Sequence, residues 1–325
     1  MGIVCKGGHE MRIMIIGAGS LGLLFAAKLS AFCEHMTVIA RTIEQADKLD
    51  QKGIELVGTA EAIRTTRSGV IDFRYYIEEA ETAKSSLHHF DYLFLMVKQP
   101  AITRELINNL KSQMSKDTYL ISFQNGIGHE ERLGEELGRD RLLLAVTTEG
   151  ARREGLTAVT QTGHGISYIG TSEDSDHIVN STHILLVEML EKAGFQTMMS
   201  KNMDVRIWSK LTINAVINPL TAILRVKNGD LLLSTWTRSL MNDLYQETRM
   251  VAAVKGILLP DELWDTLLSV CEATSFNHSS MLQDIEQSRL TEIDYINGSL
   301  VKMAKELKLE IPTHQTVYQL VKALE

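Results

Sequence analysis

The sequence predicts an α/β protein in which a domain built on a parallel sheet is followed by an all-helical domain. Three observations carry that prediction. Short apolar runs alternate with helical stretches over the first half of the chain. Several of these runs are apolar almost without a break, as strands covered on both faces are. Beyond about residue 203 the strand signals stop, and stretches of helical periodicity take over. With 325 residues, 44% of them hydrophobic, the chain is long enough for roughly two domains, each with its own core.

Residues 12–16 read as the first strand and 21–29 as the helix after it. Residues 36–40 are a second strand, and 91–97 (Asp-Tyr-Leu-Phe-Leu-Met-Val) a third. A helix over 103–114 and strands over 119–122 and 142–146 follow. Such alternation implies a parallel sheet covered by helices. Around 155–170 the pattern changes. Residues 157–161 and 166–169 predict an antiparallel pair joined by Thr162-Gly163-His164-Gly165. A polar stretch over 171–176, a helix over 183–192 and a last strand over 195–198 close this half. Helices are then expected over 205–224, 236–254, 262–276, 292–307 and 316–324, and four prolines in the whole chain suit helices of this length. The expected boundaries are 11–200 for the first domain and 201–325 for the second. Residues 1–10 read as an extension with no specific role, and Met11 as the natural start of the fold.

Charge and composition exclude several classes of function. Lys plus Arg number 33 and Asp plus Glu 41, a net charge of −8. Such a surface repels polyphosphates, so neither nucleic acid nor an anionic membrane is an expected partner. An anionic ligand needs a local cluster of donors. Cys5, Cys33 and Cys271 lie far apart with no CxxC, which reads as free thiols in a reducing, cytoplasmic setting. The histidines show no metal-ligand spacing, so no metal is expected, and His88-His89 reads as solvated. Residues 13–27 are apolar and follow Lys6 and Arg12, as in a signal peptide. They carry three glycines, however, and fall short of the roughly 20 residues that span a bilayer.

Those glycines are the first chemical signal. Gly17-Ala18-Gly19-Ser20-Leu21-Gly22 follows a strand and opens a helix, the context in which GxGxxG binds a dinucleotide. Gly17 serves the tight turn, Gly19 the close approach of a pyrophosphate, and Gly22 the packing of helix on strand. The first domain is therefore expected to be of the Rossmann type. Its second strand ends at Arg41, where NAD-binding chains place an acid. A guanidinium there can pair with a 2′-phosphate, so the expected cofactor is NADP(H); the alternative is a solvated surface arginine. Lys98 and Asn125-Gly126 follow strands 91–97 and 119–122, placed to reach cofactor or substrate or to serve as plain loop residues.

In the helical half, Lys210, Asn214 and Asn218 recur every four residues among Leu211, Ile213, Ala215, Val216 and Ile217. They share one stripe of an otherwise apolar helix. A lysine and two amides there either pair within the protein, lie exposed, or line a polar ligand cleft. Ketone reduction leaves charge on oxygen, and a partly desolvated lysine can supply the proton. Neutral amides can hold a carboxylate.

Together with Val97-Lys98, Gln124-Asn125-Gly126, Asn218-Pro219-Leu220-Thr221-Ala222, Ser279-Ser280-Met281-Leu282-Gln283-Asp284 and Thr291-Glu292-Ile293-Asp294-Tyr295-Ile296-Asn297-Gly298, these motifs resemble the ketopantoate reductase family from about Met11 to the C-terminus. The resemblance implies NADPH-dependent reduction of 2-dehydropantoate to pantoate, a step toward pantothenate and coenzyme A. It implies Lys210 as the proton donor and Glu292 as a catalytic acid beside cofactor and substrate. It gives substrate binding to Asn125, Asn214, Asn218, Asn228 and Ser280. It gives cofactor binding to Gly17, Ala18, Gly19, Ser20, Leu21, Gly22, Arg41, Lys98, Asn125, Ala151 and Glu292. Read alone, Ser280 could cap a helix, Glu292 could be a first-turn acid, and Asn228-Gly229 could be an ordinary turn. Glu149-Gly150 departs from the small or polar residues expected before Ala151. The alternatives are a reductase of another small branched 2-keto acid, or a non-catalytic NADPH-binding regulator. A homodimer is a possible assembly.

Overall fold

The computed structural model describes residues 11–58, 63–64, 71–75, 89–171 and 181–325. Cys5, the extension over 1–10, His88 and most of the polar stretch 171–176 lie outside the described residues. The chain divides into two compact units: residues 11–124 with 129–203, and residues 125–128 with 204–325.

The first unit alternates strand and helix. In chain order come β1 (Met11–Ile16), α1 (Ser20–Leu29), β2 (Cys33–Ile39), α2 (Ile43–Lys52), β3 (Glu55–Val57), β4 (Ile63–Arg64), β5 (Ile71–Arg74) and β6 (Tyr92–Leu95). Then follow α3 (Arg104–Gln113), β7 (Tyr119–Ser122), α4 (His129–Leu137), β8 (Leu142–Thr147), β9 (Gly150–Glu154), β10 (Ala158–Gly163), β11 (Ile166–Gly170), α5 (Ser181–Lys192) and β12 (Gln196–Met199). The main sheet has the order β12-β11-β8-β7-β6-β1-β2-β5. From β5 to β8 every pair is parallel. The sequence β5-β2-β1-β6-β7-β8 is the doubly wound dinucleotide-fold order, with its switch point between β1 and β6. Phe25 of α1 stacks on Phe195 and meets Phe123 and Phe94 edge-on, filling the core on that side of the sheet.

One expectation fails here. Residues 157–161 and 166–169 do not pair with each other. β10 joins a second sheet of order β4-β3-β10-β9, while β11 pairs antiparallel with β8 and parallel with β12. The hairpin is longer than the sequence suggested: β8 runs on into β9, turns at Gly155, and returns through β10 into β11. Both arms leave the main sheet together. At the returning corner a Cβ on Gly165 would lie 2.3 Å from the Thr148 carbonyl carbon, so backbone meets backbone where a hairpin turn was expected.

The second unit is helical: α6 (Met203–Leu224), α7 (Thr235–Val254), α8 (Leu263–Ala273), α9 (Ser280–Glu286), α10 (Asn297–Leu307) and α11 (Pro312–Leu324). α6 is, among the described residues, the helix long and apolar enough to cross a membrane, but 61% of its most apolar window is buried within the protein. Trp208, Leu211, Ala215 and Ala222 of α6 pack with Val251, Met281, Ile293 and Leu300. The segment 125–128, expected within the first domain, belongs to this unit because Ile127 is buried in the same core and its N–H donates to the Tyr295 carbonyl at 3.4 Å. Residues 292–307 are not one helix. A single 3-10 turn, Ile293–Tyr295, ends at Ile296 (φ −104°, ψ −90°), and α10 starts at Asn297.

Candidate functional site

In the first unit, the glycine loop, Arg41 and Lys98 lie at the carboxyl ends of three adjacent parallel strands, β1, β2 and β6. Gly17 has φ +114°, a conformation that side chains strongly disfavour, and its N–H donates to Ile39 O at 3.0 Å. A Cβ on Gly17 would come within 2.9 Å of the Met96 carbonyl carbon, so the end of β6 walls one side of the loop. A Cβ on Gly22 would fall 1.8 Å from Gly17 O. A Cβ on Gly19, by contrast, would meet no atom of the described residues within 4 Å. That open side faces the start of α1, whose first turn has no acid and no side-chain cap. Free N–H groups beside open space suit a pyrophosphate. The residues present therefore fit a dinucleotide.

Three supports of this arrangement were not foreseen. Buried Gln45 of α2 donates to Ala18 O at 2.9 Å and Leu156 O at 3.0 Å, tying the loop to the β9–β10 turn. Its only sequence signal is the Thr42-x-x-Gln45 spacing of a capping box, in which Thr42 does accept from Gln45 N at 3.2 Å. Gln124 donates to Leu95 O and Val97 O at 2.9 and 3.0 Å, holding the strand end that leads to Lys98. Ser122 in turn donates to Gln124. Arg41 and Lys98 themselves are exposed. Ala151 is partly buried in β9, in register with Gln161 of β10, and these two strands lie against α1. Glu149, the departure noted above, is buried and accepts from Gln161 Nε2 at 2.9 Å.

In the second unit, α6 carries Lys210, Asn214 and Asn218 at successive turns; as whole residues Asn218 is buried and Lys210 and Asn214 are half-buried. Burial pushes the Lys210 ammonium down to about 8, and the Glu292 carboxylate partly opposes that shift. Glu292 is itself buried and accepts from Asn125 Nδ2 at 3.0 Å. Lysine, glutamate and asparagine from three distant stretches of sequence are thus brought together. Glu292 stands ahead of the 3-10 turn and well before α10, so the first-turn reading does not apply.

Ser279, not Ser280, caps α9, accepting from Leu282 N at 3.1 Å. The Ser279 and Thr221 hydroxyls are hydrogen-bonded to each other at 2.7 Å, which pins the start of α9 to the last turn of α6. Ser280, the first helical residue, is exposed there. Asn228 opens a 3-10 turn and is 8% exposed. Its neighbour must be glycine, since a Cβ on Gly229 would lie 2.5 Å from Ser275 Cβ. Thr274 Oγ1 uses its hydrogen on Val270 O, so it can only accept from Asn228 Nδ2, at 2.9 Å. This fixes the amide orientation and leaves Asn228 Oδ1 as a buried acceptor with no partner among the described residues.

Both units are similar to known proteins. Residues 13–174 match the family model described as "Ketopantoate reductase PanE/ApbA", and 202–325 match "Ketopantoate reductase PanE/ApbA C terminal". The 2-dehydropantoate 2-reductase of Listeria innocua is 35% identical over 98% of each chain. The structure of a probable 2-dehydropantoate 2-reductase from Bacillus subtilis shares 31% identity over 97% of this chain and 100% of that one, with a TM-score of 0.78. A D-mandelate dehydrogenase solved with NADH shares 25% identity over 96% and 98% of the two chains, with a TM-score of 0.82.

Proposed function

The chain belongs to the ketopantoate reductase family, and on that premise we propose that it reduces 2-dehydropantoate to pantoate with NADPH. The observation that carries the reading is Lys210: an ammonium on an apolar helix, lowered to about 8 by burial, with a carboxylate beside it and two amides on the same stripe. A cofactor of this class supplies a hydride when bound. The glycine loop and the α1 N-terminus hold its pyrophosphate, Lys98 and Ala151 contribute further contacts, and Arg41 pairs with a 2′-phosphate.

The keto acid presents a carboxylate, a carbonyl and a hydroxyl. Asn214, Asn218 and Ser280 offer uncharged donors to the carboxylate. Lys210 Nζ donates to the carbonyl oxygen and gives it a proton as charge develops there. Glu292 keeps the ammonium charged and accepts from Asn125 Nδ2, which orients the carboxylate. Asn228 Oδ1 accepts from the substrate hydroxyl. A buried acceptor left empty penalises any keto acid lacking that group, which favours 2-dehydropantoate over simpler branched 2-keto acids.

A second reading, an NADH-dependent dehydrogenase of another 2-hydroxy acid, draws on the likeness to D-mandelate dehydrogenase. Initial rates of cofactor oxidation decide between them, measured with NADPH and NADH against 2-dehydropantoate, its analogue without the hydroxyl, and an aryl 2-keto acid. Fast turnover confined to NADPH and 2-dehydropantoate is expected. Equal rates with NADH, or preference for the aryl acid, would overturn the assignment.

A further inference from the structure

α6 carries a proline in its interior, Pro219, directly after Asn218. Proline has no N–H, and its ring crowds the carbonyl one turn earlier, which here is that of Ala215. Ala215 is wholly buried. Its carbonyl therefore loses its helical donor in a place that water does not reach.

The donor comes from another helix. Asn297, at the start of α10 and 0% exposed, donates from Nδ2 to Ala215 O at 2.9 Å. The second hydrogen of the same amide goes to His314 Nδ1, also at 2.9 Å. His314 Nε2 lies 2.9 Å from both Leu244 O and Thr248 Oγ1, so it carries the ring proton and leaves Nδ1 free to accept. Both amide hydrogens of Asn297 are thus used, while its Oδ1 is buried with no partner among the described residues. A residue that leaves its acceptor empty in order to place two donors is held there for the donors.

We propose that Asn297 is a positioning residue for the substrate stripe: it replaces the hydrogen bond that Pro219 removes and so sets the turn of α6 carrying Asn214 and Asn218. The orientation of those two amides then depends on a side chain from α10 as well as on the helix itself. This inference rests on the reading of Asn214 and Asn218 as substrate-binding.

The test is a double-mutant cycle in the full-length protein, with Asn297→Leu and Pro219→Ala made singly and together. Pro219→Ala returns a backbone N–H to Ala215 O. Asn297→Leu alone is expected to raise the KM for 2-dehydropantoate by roughly tenfold or more while the KM for NADPH stays within about twofold. In the Pro219→Ala background the same change is expected to cost about threefold or less, and the urea unfolding midpoints should show the same non-additivity. Additive effects on KM and on the midpoint, or equal rises in both KM values, would overturn the proposal. If Asn297→Leu does not fold alone, Asn297→Ser is read by the same criteria. If the wild-type protein does not turn over 2-dehydropantoate, the substrate reading fails and the unfolding midpoints alone decide whether Asn297 replaces the missing bond.

Discussion

Replacing Glu292 with Gln tests the proposed chemistry most directly. The amide keeps an oxygen to accept from Asn125, whose Nδ2 now bonds Glu292 Oε2 at 3.0 Å, but it removes the charge that raises Lys210. If Lys210 donates the proton, its charged form is the active one. Activity then falls about tenfold per pH unit above the wild-type value of about 8. An adjacent carboxylate raises a lysine by roughly 1–3 units, so at the low end Glu292→Gln moves that limb to about 7. The protonated fraction at about pH 7.5 then drops from about three-quarters to about one-quarter, a threefold loss. Near pH 9 the loss approaches tenfold, and near pH 6 it almost vanishes. The assay is kcat/KM for 2-dehydropantoate from about pH 5.5 to 10 at saturating NADPH. A limb that stays in place in Glu292→Gln would refute the electrostatic role. A wild-type limb near the ordinary lysine value of about 10.4 would refute the desolvated lysine. Lys210→Met should abolish the limb and lower kcat by roughly 10²–10⁴.

Arg41→Ala should raise the KM for NADPH by about 10- to 100-fold and leave that for NADH nearly unchanged; equal effects on both would remove Arg41 from cofactor choice. Gly19→Val should leave the melting temperature close to wild type, since its side chain enters open space, but abolish NADPH binding in a calorimetric titration. Gly22→Val should instead lower the melting temperature sharply, because its Cβ collides with Gly17 O. His129 is buried and pushed down to about 4 by desolvation, whereas unfolded it protonates near 6.5. The folded state therefore binds fewer protons in that window. The His129 contribution to stability should be complete above about pH 6.5 and fall by up to about 3 kcal/mol toward pH 4; His314, also buried and pushed down to about 4, adds to the decline, so His129→Leu should reduce the decline in urea titrations without removing it.

The parallel sheet was legible because its strands are short, continuous apolar runs and its glycine loop stands between a strand and a helix. Those signals lie within a few residues of one another. The β9–β11 region was misread because Thr162-Gly163-His164-Gly165 has turn composition, and composition does not say which partner a strand will take. Pairing of β11 with β8 depends on residues far upstream. The same limit applies to the site. The Lys210–Asn218 stripe could be read from helical periodicity, but the contact of Asn125 with Glu292 spans 167 residues. Gln45 shows only a capping spacing and Gln124 stands in a motif without a role, because the work of both is done by side-chain amides on backbone carbonyls, which leaves no periodic trace. The sequence offers Ser280 as a cap, and the structure gives that place to the residue before it, Ser279.

The four residues 125–128 carry a consequence for how such a chain can be divided and exchanged. They follow β7 after Phe123 and Gln124, yet Ile127 belongs to the helical core and Asn125 to the Lys210–Glu292 cluster. A cut near residue 203 would produce a C-terminal fragment without the side chain that fills one place in its core and without the amide that orients its glutamate. The halves are consequently not interchangeable cassettes. Recombination between relatives with a single crossover at 203 would pair a tetrapeptide from one parent with a helical unit from the other. Only parents that agree at both positions should yield an active hybrid.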